Sequence, residues 1–392
     1  MRRVDVVVLG GGIHGVGVAQ AAAAAGHSVL LLEKTALAAG TSSRSSKLIH
    51  GGLRYLESGQ FHLVRESLRE RRILLAIAPE LVRLKPFIIP LYRETRRRPW
   101  QLRVGLSLYA LLGGLGPETR FGTVPRSAWE QLDGLQTRGL RTVLRYLDAQ
   151  TDDVELTRAV MRSAESLGAQ LLAPAELFAA ELRDDEVVVR YTHEGAPEEC
   201  TARVLVNAAG PWVKRVMERI TPRIATPPIE LVQGSHVIVR DFVEQGIFYV
   251  ESPRDGRAIF IMPWHGHMLV GTTETRFRGD PDGVQPLAAE KHYLVSVLRH
   301  YFPRHAQLHV RDLLDSFAGV RVLPAGTAHA FHRSRETLFV CDREHRPRVL
   351  AIYGGKLTGY RATAEIVMRR IGGSLPQLRV RADTRTLKLC RG

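Results

Sequence analysis

Six residues constrain this chain more than any others: Gly10-Gly11-Gly12-Ile13-His14-Gly15, a GxGxxG turn at the end of a short apolar run, residues 4–9, whose one polar residue is Asp5. A run of β-branched residues without alternation predicts a parallel strand covered on both faces. In such a turn the first glycine permits the tight bend and the second lets backbone approach a pyrophosphate. The third allows the next helix to pack closely. The alanine-rich residues 16–26 predict that helix, whose first N–H groups and positive dipole end suit phosphate oxygens. A second apolar strand at 28–32 then ends in Glu33, eighteen residues beyond Gly15, where an acid accepts hydrogen bonds from ribose hydroxyls. Strand, glycines, helix, strand and acid in this order predict a dinucleotide-binding unit, although the turn alone does not separate NAD from FAD.

The segment after Glu33 narrows the choice. A polar loop, Thr41-Ser42-Ser43-Arg44-Ser45-Ser46-Lys47, leads into Leu48-Ile49-His50-Gly51-Gly52-Leu53-Arg54-Tyr55. Its hydroxyls and amides suit a second phosphate, and the apolar continuation suits a chain passing under a flavin ring. A flexible Ser-rich connector is the plainer alternative; it is set aside because apolar residues, a histidine and paired glycines come next without a break.

With these residues in place the chain resembles the FAD-dependent glycerol-3-phosphate dehydrogenases. The resemblance continues through Asp152-Asp153, Asn207-Ala208-Ala209-Gly210-Pro211-Trp212, Gly234-Ser235-His236, Gly271-Thr272-Thr273-Glu274, Ala318-Gly319-Val320-Arg321 and Gly354-Gly355-Lys356-Leu357-Thr358, over roughly residues 4–370. It implies FAD as cofactor, oxidation of glycerol 3-phosphate to dihydroxyacetone phosphate, and a quinone or another electron acceptor. The cofactor would be held by Gly10, Gly12, Ile13, His14, Gly15, Glu33, Lys34, Thr41, Ser42, Ser46, Lys47, Leu48 and Ile49. Ala208, Gly210, Trp212, Gly319, Gly355, Lys356, Leu357 and Thr358 complete that set. Departures are small near the ligand: His14 where asparagine is usual, Val322 where proline comes after the arginine, and Gly359 where a second threonine is common. The larger one is at the end, where the chain stops about twenty residues after its closing helix, without the helical C-terminal domain usual in the family.

Oxidising a secondary alcohol with a flavin moves a hydride to N5 while a base takes the hydroxyl proton. Histidine titrates near neutrality, so His50 and His236 are the candidate bases, with the choice between them open. A phosphate dianion needs cations: Arg54, Arg321 and Lys356 are nominated, Arg321 also as a catalytic group, with Tyr55 as a hydrogen-bonding partner. Composition supports the lysine. The chain has 48 arginines and 7 lysines, yet Lys34, Lys47 and Lys356 all fall in glycine- or serine-rich motifs. Residues 355–358 are expected to open the last helix and aim its amides at the flavin. No metal site is expected.

The expected architecture is α/β: a discontinuous Rossmann-like FAD-binding domain (1–80, 145–225 and 315–375) with an inserted antiparallel-sheet α+β substrate domain (81–144 and 226–314) and a tail, 376–392. Helices are read at 60–78, 152–167, 286–301 and 357–371. Strands are read at 85–91, 169–172, 187–191, 202–206, 338–341 and 349–352, with antiparallel strands between 228 and 270. Pro86 and Pro90 suggest that 85–91 lies at a sheet edge. At 96–112, basic residues and Trp100 precede an apolar helix; an interfacial anchor and a packed lid helix both fit, and the packed reading is preferred.

A net charge of +15 raises the question of nucleic acid, but no nucleic-acid module pattern accompanies it and none is expected as a partner. An anionic membrane surface stays open. Cys200, Cys341 and Cys390 offer neither a disulfide framework nor a CxxC pair, which fits a cytoplasmic chain, peripheral at most on the inner membrane face. No signal peptide is read at the start. Two other functions stay open: a related amine or amino-acid oxidase, which would need a carboxylate clamp, and a flavin-retaining basic protein without turnover at anionic surfaces.

Overall fold

The computed structural model describes residues 2–325 and 337–391. Its fold is mixed α/β, built on two multi-stranded sheets. The first grows around the strand Arg2–Leu9, which pairs in parallel with Val29–Leu32 on one side and Ala196–Asn207 on the other. Alternation divides its side chains between two cores: Val6 and Val8 face one, Val7 and Leu9 the other. The apolar stretch Val6–Leu9 is therefore the sequence signature of a strand buried on both faces. Under Val6 and Val8 lie the helices Ile13–Ala24, Asp153–Ser166 and Tyr360–Ile371. Alanines allow this closeness, and at Gly17 an added Cβ would fall 2.8 Å from the Tyr360 ring.

The long strand Ala196–Asn207 fans apart. Its first half pairs with the antiparallel ribbon Ala175–Leu182 and Val187–His193, and its last residues pair in parallel with Val349–Tyr353. The strand Ala175–Leu182 was not legible in the sequence.

The second sheet is largely antiparallel and runs from Thr275–Phe277 through Ile229–Val239, His267–Gly271, Ala258–Trp264, Ile247–Glu251, Val82–Tyr92 and Leu140–Thr151 to Leu48–Ile49. Asp315–Pro324 also joins it, matched residue for residue against Ile229–Val239. The segments expected at 145–225 and 315–375 thus each begin within a strand of this second sheet.

Two expectations are corrected. Val82–Tyr92 lies inside the sheet, between Leu140–Thr151 and Ile247–Glu251, not at an edge. Pro86 and Pro90 share parity, so their missing donors fall on one side of the strand. The neighbour Ile247–Glu251 pairs only at Phe87 and Ile88, so little ladder is lost. The last helix begins at Tyr360, later than residue 357, because Gly354 and Gly355 adopt positive φ (+81° and +111°) and 355–358 form the turn before it.

The helix Pro99–Leu112 buries Leu102, Leu106 and Tyr109 in a core beneath the second sheet. Its outer face leaves Trp100, Val104 and Leu111 about 60 % or more exposed. No helix among the described residues is long and apolar enough to cross a membrane.

Candidate active site

Between the two sheets runs one long cavity of about 640 Å³. At its first end the glycine turn is fitted by contacts that leave no room for side chains. Gly10 sits at φ +105°, and a Cβ there would lie 2.8 Å from the Ala208 carbonyl oxygen. Gly15 lies beneath, its own side-chain position filled by the Gly10 carbonyl. Glu33 accepts from the Gly11 N–H at 2.6 Å and from Thr35, while Ser42 Oγ accepts from the Ile13 N–H at 2.9 Å. Glu33 is therefore a brace of the turn as well as a lining carboxylate. The N-cap residue Gly12 supplies no side-chain cap, and with the Ile13 N–H taken by Ser42 the next N–H groups of the helix start, those of His14 and Gly15, suit a phosphate. Gly355 meets His14 from the far side, the imidazole filling the place of a side chain there. Burial depresses the His14 pKa to about 4, so the ring is neutral.

Lys34 stands with its ammonium 4.3 Å above the Trp212 ring and pairs with Asp282. Arg215 binds Asp280 and Asp282 at 2.7 and 3.0 Å, which fastens residues 280–283 over this end.

At the other end the lining changes to charge and aromatic rings. Arg54, Arg257, Arg321 and Lys356 stand among Phe87, Tyr146, Tyr249 and Phe260. Lys356 Nζ lies 4.2 Å over the Tyr55 ring, and Arg321 donates to Thr272 Oγ1 at 3.2 Å. At Gly234 an added Cβ would fall 2.7 Å from the Arg321 guanidinium, so the glycine makes room for that side chain. Arg257 pairs with the buried Glu274 at 3.1 Å. Together these side chains form a cationic cup in the lining, in which Arg257 is paired with Glu274 and also lies 4.0 Å from Asp255.

His50 lines the cavity beside this cup, its N–H donating to Thr358 Oγ1 at 3.1 Å. His236 does not. It is fully buried behind the lining, stacked on Phe317 at 4.9 Å, with Nε2 3.0 Å from Ser46 Oγ. Burial first, then the charges of Arg321 and Lys47, push its pKa well below the usual range and keep it neutral. The strand that carries it turns the ring away from the cavity, toward its partner Gly271.

Lys47 is also outside the lining. Its ammonium binds Asp153 at 2.7 Å and the Ser43 carbonyl at 2.5 Å, which pins the serine loop to the start of the Asp153–Ser166 helix. Burial raises the Asp153 carboxyl despite the opposing pull of Lys47 and Ser45. Ile49 belongs to the core beneath the turn. Apart from Gly15, Lys47, Ile49 and His236, every residue nominated from the sequence lines the cavity. Arg215, Arg257, Glu274, Tyr249, Phe260 and Asp282 line it without having been nominated. Glu274 stands in the Gly271-Thr272-Thr273-Glu274 motif; Arg257 had no local signal at all.

A family model for FAD dependent oxidoreductases matches residues 5–363. The chain belongs to the FAD dependent oxidoreductase family. It is 38% identical to a glycerol-3-phosphate dehydrogenase of Pseudomonas aeruginosa, over 94% of this chain and 71% of that one. It is 37% identical to a D-erythritol 1-phosphate dehydrogenase of Brucella abortus, over 95% of this chain and 74% of that one. The glycerol-3-phosphate dehydrogenase of Bacillus halodurans complexed with FAD superposes with a TM-score of 0.73 at 26% identity, over 99% of this chain and 68% of that one. FAD fits the side-chain-free cradle at Gly10, the helix start after Gly12, and Glu33. In this FAD-dependent oxidoreductase the turn and serine loop would hold the cofactor's phosphates, and 354–358 the flavin end.

Proposed function

We propose that this enzyme oxidises sn-glycerol 3-phosphate to dihydroxyacetone phosphate. The observation that supports the reading is that Arg54, Arg321, Lys356 and His50 all line one cavity. A planar guanidinium grips a phosphate with two parallel hydrogen bonds and an ammonium adds a compact charge, so the dianion is fixed by one end. That leaves the secondary hydroxyl to His50, which takes its proton as the carbon gives up a hydride. Bound FAD supplies the acceptor for that hydride. The aromatic wall excludes water and strengthens each charge contact. An amino acid would offer this cup a single carboxylate, a poorer match for its charge.

We further assign the outer face of Pro99–Leu112 to an anionic lipid surface, with a quinone or another acceptor taking the electrons. Trp100, Val104 and Leu111 supply the apolar contact, and Arg98 and Arg103 beside them supply the charge. Sedimentation with phosphatidylglycerol vesicles but not with phosphatidylcholine vesicles is the expected outcome, and Trp100→Ser should weaken it. Equal recovery from both would remove the assignment.

The deciding experiment is anaerobic mixing of the purified holoenzyme with glycerol 3-phosphate while flavin absorbance is monitored, with an erythritol phosphate in parallel. Rapid bleaching by glycerol 3-phosphate is expected. Bleaching only by the longer polyol phosphate would move the substrate, and bleaching only by an amine would remove the reading.

A further inference from the structure

The peptide just after His50 is held from beneath by groups that touch neither cavity nor cofactor cradle. The Gly51 N–H donates to the Tyr109 hydroxyl at 2.9 Å and, at a longer 3.4 Å, to Asp148 Oδ1, and the hydroxyl donates to Asp148 Oδ2 at 2.7 Å. Asp148 Oδ1 in turn binds Arg71 at 2.6 Å. Arg71 is anchored twice more, on the carbonyls of Leu147 and Glu118, each at 3.0 Å. Arg71, Tyr109 and Asp148 are each 1% exposed. Burial, and then the charge of Asp148, push the Tyr109 phenol far above its usual range, so it stays protonated and can donate to the carboxylate while accepting from Gly51. A side chain at Gly51 would collide with this hydroxyl and with Leu68. The glycine is what lets the tyrosine reach the backbone.

A buried ion pair costs desolvation that simple packing would avoid, and Arg71 Nε is left without a hydrogen-bond partner, so the pair adds more to fixed geometry than to stability. Here the geometry it fixes is that of one loop. From above, Thr358 binds the His50 N–H; from below, Tyr109 binds the next N–H along the chain. We propose that Tyr109, oriented by the Asp148–Arg71 pair, is a positioning residue that holds the His50 imidazole at the substrate hydroxyl. The inference rests on His50 being the base. Tyr109 acts only through that histidine, since nothing places it on the substrate side.

A double-mutant cycle tests this. Tyr109→Phe keeps the packed ring and removes only the hydroxyl. With His50 present it should lower the rate of flavin bleaching at saturating glycerol 3-phosphate about tenfold, since small displacements of a reacting group cost one to two orders of magnitude. Half-saturation should move less than about twofold, because the phosphate cup is untouched, and bound FAD and the thermal midpoint should hold near wild type. In a His50→Gln background the same substitution should change the rate by less than about twofold. An equal loss in both backgrounds, or no loss with His50 present, would overturn the proposal. His50→Gln bleaching at the wild-type rate would instead overturn the assignment of the base, and the two failures read out separately. Should Tyr109→Phe not retain FAD, Asp148→Glu in the two backgrounds supplies the same cycle with the charge kept.

Discussion

The two ends of the cavity are built on different plans. At the glycine turn, the bend and its carboxylate brace come from one βαβ unit, since Gly10, Gly11, Ile13 and Glu33 all belong to the first 33 residues, with Ser42 and Ala208 packed against them from outside it. At the cationic end, Arg54, Arg257, Glu274, Arg321 and Lys356 come from five separate segments brought together by both sheets. Local construction suits a cofactor whose pyrophosphate asks for N–H groups and close approach. Dispersed construction suits a substrate that must be gripped, deprotonated and released, because each group can be set by a different strand.

The largest effect expected from this contrast is at the dispersed end. Arg321→Met removes one guanidinium from the cup but nothing from the cradle. It should lower kcat/KM for glycerol 3-phosphate by about 10²–10³-fold, as loss of a charged contact to a buried anion does, while FAD stays bound. Stopped-flow bleaching with parallel measurement of flavin content checks both halves. Loss of flavin from this variant would mean that the two ends are one functional unit and would break the comparison.

A smaller and opposite effect is expected at the local end. Gly10→Ala places a Cβ 2.8 Å from the Ala208 carbonyl oxygen at φ +105°, a conformation that costs an L-residue roughly 1–2 kcal/mol before any clash. A cost of that size corresponds to about a tenfold weakening of FAD binding. Enzyme reconstituted with saturating FAD should bleach near the wild-type rate. Titration of the apoprotein with FAD, read by flavin fluorescence, measures the affinity directly.

The same contrast explains what could be read without a structure. The glycine turn, Glu33 and the first strands were legible because their spacing is their geometry: a strand, a bend and a helix carry the ligand contacts with them. The place of His50 on the cavity wall was legible for the same reason, since it lies between an apolar pair and paired glycines. His236 looked equivalent, standing after Gly234-Ser235 at a strand start, yet its surroundings are Phe317, Arg321 and Lys47, none of them near it in sequence. Lys47 was misplaced similarly, since the serine loop resembles a phosphate cradle while its partner Asp153 lies about a hundred residues on. Arg257 is one arginine among 48, and only the register of Ala258–Trp264 against His267–Gly271 carries it toward Glu274. The edge position inferred from Pro86 and Pro90 failed because an interior strand tolerates proline where its neighbour is short.

The smallest effect concerns protons and treats the two ends alike. His14 beside the glycine turn and His236 behind the cationic cup are both held neutral by burial, the first with a pKa of about 4 and the second well below 6.5. In the unfolded chain each would titrate near 6.5. As pH falls below that value the unfolded state takes up protons that the folded state refuses, so the stability contributed by neutral burial is present above about pH 6.5 and is lost as pH falls. For His14 the loss is complete near pH 4; for His236 it continues lower. The thermal midpoint of the holoenzyme should therefore drop by a few degrees between pH 7 and pH 5, above the range in which most carboxylates titrate. His14→Asn, which has no proton to take up, should make that drop shallower. An unchanged slope in His14→Asn would place the proton uptake elsewhere, with His27 and His305, both also lowered chiefly by burial, as the next groups to replace.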